Sequence, residues 1–147
     1  MDFDPSCKAC ASIAKLVPGD ANLVWQNDLW VLRHNSKPYA ALGWMTLHSR
    51  RHTPGVTHFT EAELADFGPT LKKVSQALID ATGALRVYIG SLSEATPHFH
   101  AHLVPRYEKG PKGWDAFGDL ERARQGLTDV DEAEVTRVIA EVAKALG

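Results

Sequence analysis

Two cysteines and seven histidines are the residues of this chain best suited to chemistry. Cys7 and Cys10 form a C-x-x-C pair, a spacing that serves as a redox couple or as half of a metal site. Redox use is weakened because the pair precedes a short helical stretch rather than sitting in a βαβ unit, so the remaining metal ligands would come from histidine. His98, His100 and His102 alternate with Phe99, Ala101 and Leu103. On a β-strand, successive side chains point to opposite faces, so the three imidazoles share one face and the apolar residues share the other. At about 3.3 Å per residue, His98 and His102 lie roughly 13 Å apart, too far for one mononuclear ion. The row therefore divides its duties. An adjacent pair such as His98 and His100 could chelate a metal, a row of imidazoles could attack and protonate a phosphate ester, or all three could simply line a solvated sheet face.

The elements that must position these groups follow from periodicity. Leu23-Val24-Trp25 and Leu29-Trp30-Val31-Leu32, separated by Gln26-Asn27-Asp28, read as a hairpin. Tyr39 to Leu47 reads as a third strand, closed by Ser49-Arg50-Arg51-His52. Thr60 with Glu63 matches a capping box, and Leu64, Phe67, Leu71, Val74 and Leu78 recur at helical spacing until Gly83, which predicts a long helix with a bend at Gly68-Pro69. Leu85 to Ile89 and His98 to Val104 read as two further strands. A final helix is expected from about Asp129, with Val135, Val138, Ile139, Val142 and Leu146 on one face. The segment from Arg106 to Gln125 has no clear periodicity. Strands grouped around a long helix predict an α+β fold with a largely antiparallel sheet.

Composition limits the function classes. At 147 residues, with 44% hydrophobic and 23% charged residues, the chain fits one compact domain with a core, spanning 1–147. Sixteen Lys plus Arg against eighteen Asp plus Glu leave a net charge of −2, so no nucleic-acid polymer or anionic membrane surface is an expected partner. No apolar run approaches the length of a membrane span, and Met1-Asp2-Phe3-Asp4-Pro5 is acidic where a signal peptide would be basic. The expectation is a cytoplasmic protein.

The run His98-Phe99-His100-Ala101-His102-Leu103-Val104-Pro105-Arg106 resembles the signature of the histidine triad (HIT) family. Gly43-Trp44-Met45-Thr46-Leu47-His48-Ser49-Arg50-Arg51-His52 is similar to that family's earlier strand, which begins Gly-His and ends in a basic pair and His. The resemblance covers a core of about residues 7–106, leaving 107–147 as a C-terminal extension. It implies a five-stranded, largely antiparallel sheet with a long helix and a C-terminal helix, and a homodimer in which sheets associate. It also implies a nucleotide substrate: a nucleoside phosphoramidate, a dinucleoside polyphosphate, or an acyl-adenylate or nucleotide sugar. Hydrolysis or nucleotidyl transfer would pass through a nucleotidyl-histidine intermediate. By position, His100 is the nucleophile and His102 the donor to phosphate or leaving-group oxygen, which requires His100 neutral and His102 able to give a proton. The C-x-x-C branch of the family, related to galactose-1-phosphate uridylyltransferases, implies a structural zinc held by Cys7, Cys10, His52 and His98, with His48 in reserve for His52. His98 thus counts both in the catalytic triad and among the metal ligands.

Departures from the family pattern carry expectations of their own. Trp44 replaces a histidine that supports the nucleophile, leaving a backbone carbonyl or His34 to orient His100. Ser93-Glu94 stands where many members carry Gly-Gln; Ser93 suits a phosphate and Glu94 repels one unless turned away. The resemblance makes Asn35 a candidate for ribose hydroxyls and Leu32 one for the base. Arg106 could meet phosphate but, at a strand end, reads more readily as a solvated charge or dimer contact; Arg50 and Arg51 likewise read more readily as loop charges, and Trp114 and Phe117 could cover a nucleotide or a dimer contact. Two other readings stand beside the nucleotidyl enzyme: a nucleotide-binding module with little catalysis, and a hydrolase using a zinc-bound water.

Overall fold

A computed structural model describes residues 2–147. Helix α1 (Lys8–Ala14) starts on Cys7. It is followed by strands β1 (Leu23–Gln26), β2 (Trp30–His34) and β3 (Met45–Ser49), helix α2 (Glu61–Thr82), and strands β4 (Arg86–Gly90) and β5 (His100–Arg106). Three helices close the chain: α3 (Trp114–Phe117), α4 (Asp119–Arg124) and α5 (Glu132–Leu146). The strands form one antiparallel sheet in the order β1-β2-β3-β5-β4, the α+β architecture expected from the sequence. The third strand is shorter and later than its apolar run suggests. Tyr39 to Trp44 forms turns instead, because Gly43 takes a positive φ of 78° and an added Cβ there would meet Pro105, Thr82 and Leu78 at 3.1 to 3.3 Å. The unassigned stretch after Arg106 folds into the short helices α3 and α4.

Helix α2 has the full capping box. Thr60 Oγ1 accepts from the Glu63 backbone N–H and the Glu63 carboxylate accepts from the Thr60 N–H at 2.7 Å, satisfying two N–H groups that would otherwise lack partners. Gly83, at φ 72°, closes the other end. The helix continues through Pro69 rather than ending there. Leu64, expected on the core face, is 52% exposed, while Val74 and Leu78 are fully buried. Removing the cap oxygen by Thr60→Ala is expected to lower stability by about 1 kcal/mol in urea titrations.

Helices α2 and α5 cover one face of the sheet. Trp30, Leu32, Met45, Leu47, Phe99, Ala101 and Leu103 point into that core against Val74, Leu78, Val138 and Val142. A smaller cluster lies on the opposite face, where Trp44 and Val104 pack under Ala116 of α3 and Ala123 of α4. The alternation along β5 therefore leaves His100 and His102 on the second face, beside an aromatic patch rather than in open solvent.

Candidate functional site

Cys7 caps α1 and Cys10 follows one turn later, so both thiols project from the same helix end. His98 Nδ1 lies 3.6 Å from Cys7 Sγ and 3.4 Å from Cys10 Sγ, and His52 Nδ1 lies 3.4 Å from Cys10 Sγ. The four donor atoms all fall within 4.8 Å of one another. His98 Nε2 donates to the Ser49 carbonyl at 2.6 Å, which leaves the Nδ1 lone pair facing the thiols, as a metal-binding imidazole requires. Two thiols and two imidazoles suit zinc and complete its tetrahedron without a water. Burial pushes the Cys10 thiol up, so loading the site would displace protons. The expected ligand set comes together here, and His48, the reserve, does not join it.

His100 and His102 flank Ala101 on β5 and face the opposite side of the sheet from it, their ring centroids 5.4 Å apart. His100 Nδ1 donates to the His98 carbonyl at 2.8 Å. A carbonyl only accepts, so a proton is on Nδ1, and in the neutral ring the lone pair is on Nε2. A backbone carbonyl thus orients this ring, as one of the sequence alternatives had it. His34, the other alternative, is engaged elsewhere: it accepts from the Gly43 N–H at 3.0 Å and donates to the Asn35 carbonyl at 2.9 Å, tying β2 to the turn before β3. The imidazole of His98 is fully buried and committed to the cysteines and Ser49, so its contribution to the histidine face is its carbonyl, not its ring.

Trp44 corrects a second expectation. Its indole N–H, which can only donate, reaches His102 Nδ1 at 3.1 Å. The residue that replaces a family histidine therefore supports His102, with the rings edge to face at 5.8 Å. Nδ1 holds the lone pair, and the proton of His102 sits on Nε2. Burial, and secondarily the neighbouring His100, push the His102 pKa down to about 4. At neutral pH this ring is an uncharged N–H donor and not an imidazolium with a proton to give.

His48 is the residue on this face whose placement sequence reasoning missed. It pairs with His100 across β3 and β5, and the rings stack at 5.6 Å and 23°. Burial, then His100 and Arg33, push its pKa down to about 3. Its alternation with Thr46 would have shown the shared face had β3 been extended to Ser49. An unfolded histidine titrates near 6.5, so as pH falls below that value the unfolded chain takes up a proton that folded His48 refuses until about 3. Stability is expected to be full above pH 6.5 and to decline through this window. His48→Gln should show a shallower decline in urea titrations at a series of pH values.

The remaining candidates separate clearly. Leu32, expected against a base, is fully buried in the core under α2, on the face opposite the histidines, and cannot reach a ligand there. Asn35 donates through Nδ2 to the Ser36 carbonyl at 3.0 Å, while its buried Oδ1 has no partner. Ser93 takes a positive φ of 53° and its buried Oγ is also unpartnered; Glu94 is exposed. Arg51 makes a bidentate pair with Glu63 at 2.8 and 3.0 Å, and Arg50 bonds Asn27 and Gln26, so both are structural. Arg106 lies six residues along β5 from His100, roughly 20 Å away. Two cavities flank the histidine pair. One of about 320 Å³ includes Arg33, Asn35, Lys37, His48 and Arg124; the other, of about 390 Å³, runs from His102 to Tyr88, Leu92, Trp114 and Phe117.

The chain is similar to several known proteins. It is 29% identical over 103 residues to the bifunctional bis(5'-adenosyl)-triphosphatase/adenylylsulfatase of Arabidopsis thaliana, a match covering 64% of this chain and 57% of that protein. The chain thus spans little more than half of the curated relative. Among solved structures, a HIT-like protein of Bartonella henselae superposes with a TM-score of 0.69 at 14% identity over 99% of both chains. A zinc-bound histidine triad family protein of Mycobacterium smegmatis gives a TM-score of 0.69 at 18% identity, over 96% of this chain and 95% of that one. These likenesses establish the fold. The HIT domain model matches residues 19–109, a span that holds the whole sheet with the half-buried His100 and His102, and the chain belongs to the HIT domain family.

Proposed function

We propose that the protein is a nucleotidyl hydrolase or transferase that works through a nucleotidyl-histidine intermediate on His100. The observation that carries this reading is the complementary tautomers of the histidine pair. His100 offers a lone pair at Nε2, and His102 offers an N–H at Nε2. In the first step the His100 Nε2 lone pair forms a bond to phosphorus, and the bond to the leaving group breaks with its electron pair going to that group. In the second, water adds to phosphorus, the N–P pair returns to His100, and one water proton passes to solvent. His102 donates a hydrogen bond to oxygen on the reacting phosphoryl group, stabilising charge without transferring a proton. The His98 carbonyl accepts the Nδ1–H of His100 throughout and stabilises the cationic ring of the intermediate.

The unpartnered Asn35 Oδ1 is an acceptor and fits a ribose hydroxyl, which donates; the Ser93 hydroxyl fits a phosphate oxygen. Zinc on Cys7, Cys10, His52 and His98 would supply structure, holding α1 to the residues that precede β5. Four protein ligands leave no position for water, which favours this reading over a zinc-water hydrolase. Thiolate ligands suit a reducing compartment, and no described helix is long and apolar enough to cross a membrane. β4 forms a sheet edge, with Leu85 and Ile89 exposed, which fits sheet-to-sheet association in a homodimer. The test is intact-mass spectrometry after brief incubation with an adenosine phosphoramidate or a diadenosine polyphosphate, alongside product analysis. A nucleotidyl adduct with turnover supports the mechanism; nucleotide binding with neither adduct nor product points to a binding module.

A further inference from the structure

The outer side of the thiol and imidazole cluster carries a carboxylate. Asp4-Pro5-Ser6-Cys7 is a turn by residue type, with an aspartate first, whose side chain can bond the backbone two residues on, and a proline second. The structure has that turn. The Cys7 N–H donates to the Asp4 carbonyl at 3.1 Å, and Asp4 Oδ1 accepts from the Ser6 N–H at 2.8 Å and from the Ser6 hydroxyl at 2.7 Å. These bonds fix Asp4 against the start of α1 and use only one of its carboxylate oxygens. The other, Oδ2, lies 3.8 Å from His52 Nε2. The His52 backbone N–H also donates to the Asp2 carbonyl at 3.0 Å, so the N-terminal segment and the loop after β3 meet at two points.

The contact has a direction. Asp4 is ionised at neutral pH and can only accept, so it favours the His52 tautomer that carries its proton on Nε2. The lone pair is then on Nδ1, the atom 3.4 Å from Cys10 Sγ. His98 is set the same way by a different group, since its Nε2 donates to the Ser49 carbonyl at 2.6 Å and its Nδ1 faces both thiols. Each imidazole of the cluster therefore has its own outer acceptor: a neutral carbonyl behind the fully buried His98, and a charged carboxylate behind His52, whose side chain is 17% exposed. Water competes for the second ring and not for the first, so the second is the one that needs an anchored acceptor. Resting on zinc at Cys7, Cys10, His52 and His98, we propose that Asp4 is a positioning residue of this metal site, an outer carboxylate that holds the His52 ring with Nδ1 toward the metal and raises the affinity of the cluster for it. At 3.8 Å the contact is electrostatic rather than a full hydrogen bond. An imidazole that shares its Nδ1 lone pair with a cation is a stronger N–H donor, and Asp4 is the group placed to accept from it.

The test measures the zinc dissociation constant of the full chain, by competition with a chromophoric chelator, for wild type, Asp4→Asn and Asp2→Asn. Asparagine keeps an Oδ1 for the Ser6 bonds and removes the charged second oxygen, so Asp4→Asn separates the contact with His52 from the turn. It should bind zinc about 10- to 100-fold more weakly than wild type. Asp2→Asn removes an equal charge two residues away, where the backbone carbonyl is what meets His52, and should stay within about threefold. Long-range proton–nitrogen NMR of the zinc-loaded chain adds a readout that a merely structural role would not move. The Nε2 protons of His52 and His98 should both persist at neutral pH in wild type. In Asp4→Asn the His52 proton should be lost to exchange with water, while the His98 proton, held by Ser49, remains. Equal affinity in Asp4→Asn and wild type, matching losses in both variants, or a His52 Nε2 proton already absent from wild type would each overturn the proposal while leaving the zinc site in place. The last of these needs no variant, and decides the matter even where Asp4→Asn does not fold. Wild type that holds no zinc after loading would defeat the zinc reading and this proposal with it.

Discussion

Replacing His100 by alanine is expected to abolish turnover, lowering kcat/KM by about a thousandfold or more, while nucleotide affinity changes only a few-fold. The magnitude follows from loss of the group that forms the covalent bond, since positioning and hydrogen bonding alone leave a modest residual acceleration. Binding is spared because the groups assigned to ribose and phosphate, Asn35 and Ser93, lie on other segments, and because His100 is only partly buried. Steady-state kinetics with isothermal titration of AMP separates the two quantities. Full activity in His100→Ala, or an adduct still present in its mass spectrum, would exclude His100 as nucleophile. The imidazole is held by one hydrogen bond to the His98 carbonyl, so His100→Gly should recover part of its activity with added imidazole, whereas a merely structural histidine would show no such rescue.

The second large effect concerns the cluster at α1. Cys7→Ser should remove bound zinc, measured by elemental analysis, and lower Tm by about 10 °C or more, given that structural zinc contributes strongly to folding and that a few kcal/mol moves Tm by several degrees in a domain of this size. Cys7 and Cys10 are 8% and 2% exposed and His98 is fully buried, so the variant strands the Cys10 and His98 donors away from water. His98 also fixes His100 through its carbonyl, so nucleotidyl transfer should fall in the same variant although no proposed ligand touches substrate. A chelator should reproduce the loss of Tm in the wild type and leave Cys7→Ser unaffected. Unchanged zinc content in Cys7→Ser would eliminate the ligand set.

Much of this arrangement was legible because the physics behind it is local. The capping box at Thr60 and Glu63, the C-terminal glycine of α2 and the apolar stripe of α5 follow from hydrogen-bonding needs and helical periodicity within a few residues of each feature. The alternation of His100 and His102 with Ala101 and Leu103 follows from the two-residue period of a strand, and it correctly separates a histidine face from a core face. The spacing of Cys7 and Cys10 likewise marks a metal half-site without any knowledge of the partner strands. Element ends were less legible. Gly43 turns the chain where apolar content alone favours a strand, because its close approach to Pro105 and Leu78 is a contact between distant segments.

From its sequence alone, then, this protein was legible as an α+β domain with a histidine strand and a C-x-x-C half-site, while His52 and His98 as the remaining ligands were implied by the resemblance to the HIT family. Residue types, their period and their spacing are properties of the linear chain, and these suffice for the strand faces and the half-site. Tertiary structure alone decided which groups surround the histidines. The register of β3 against β5 places His48 on His100, the turn before β3 aims the Trp44 indole at His102, and packing under α3 leaves an apolar cavity beside it. Protonation state and tautomer depend on which donor or acceptor lies within about 3 Å of each ring nitrogen. For His98 and His102 those neighbours come from segments 49 and 58 positions away, and only folding brings them together.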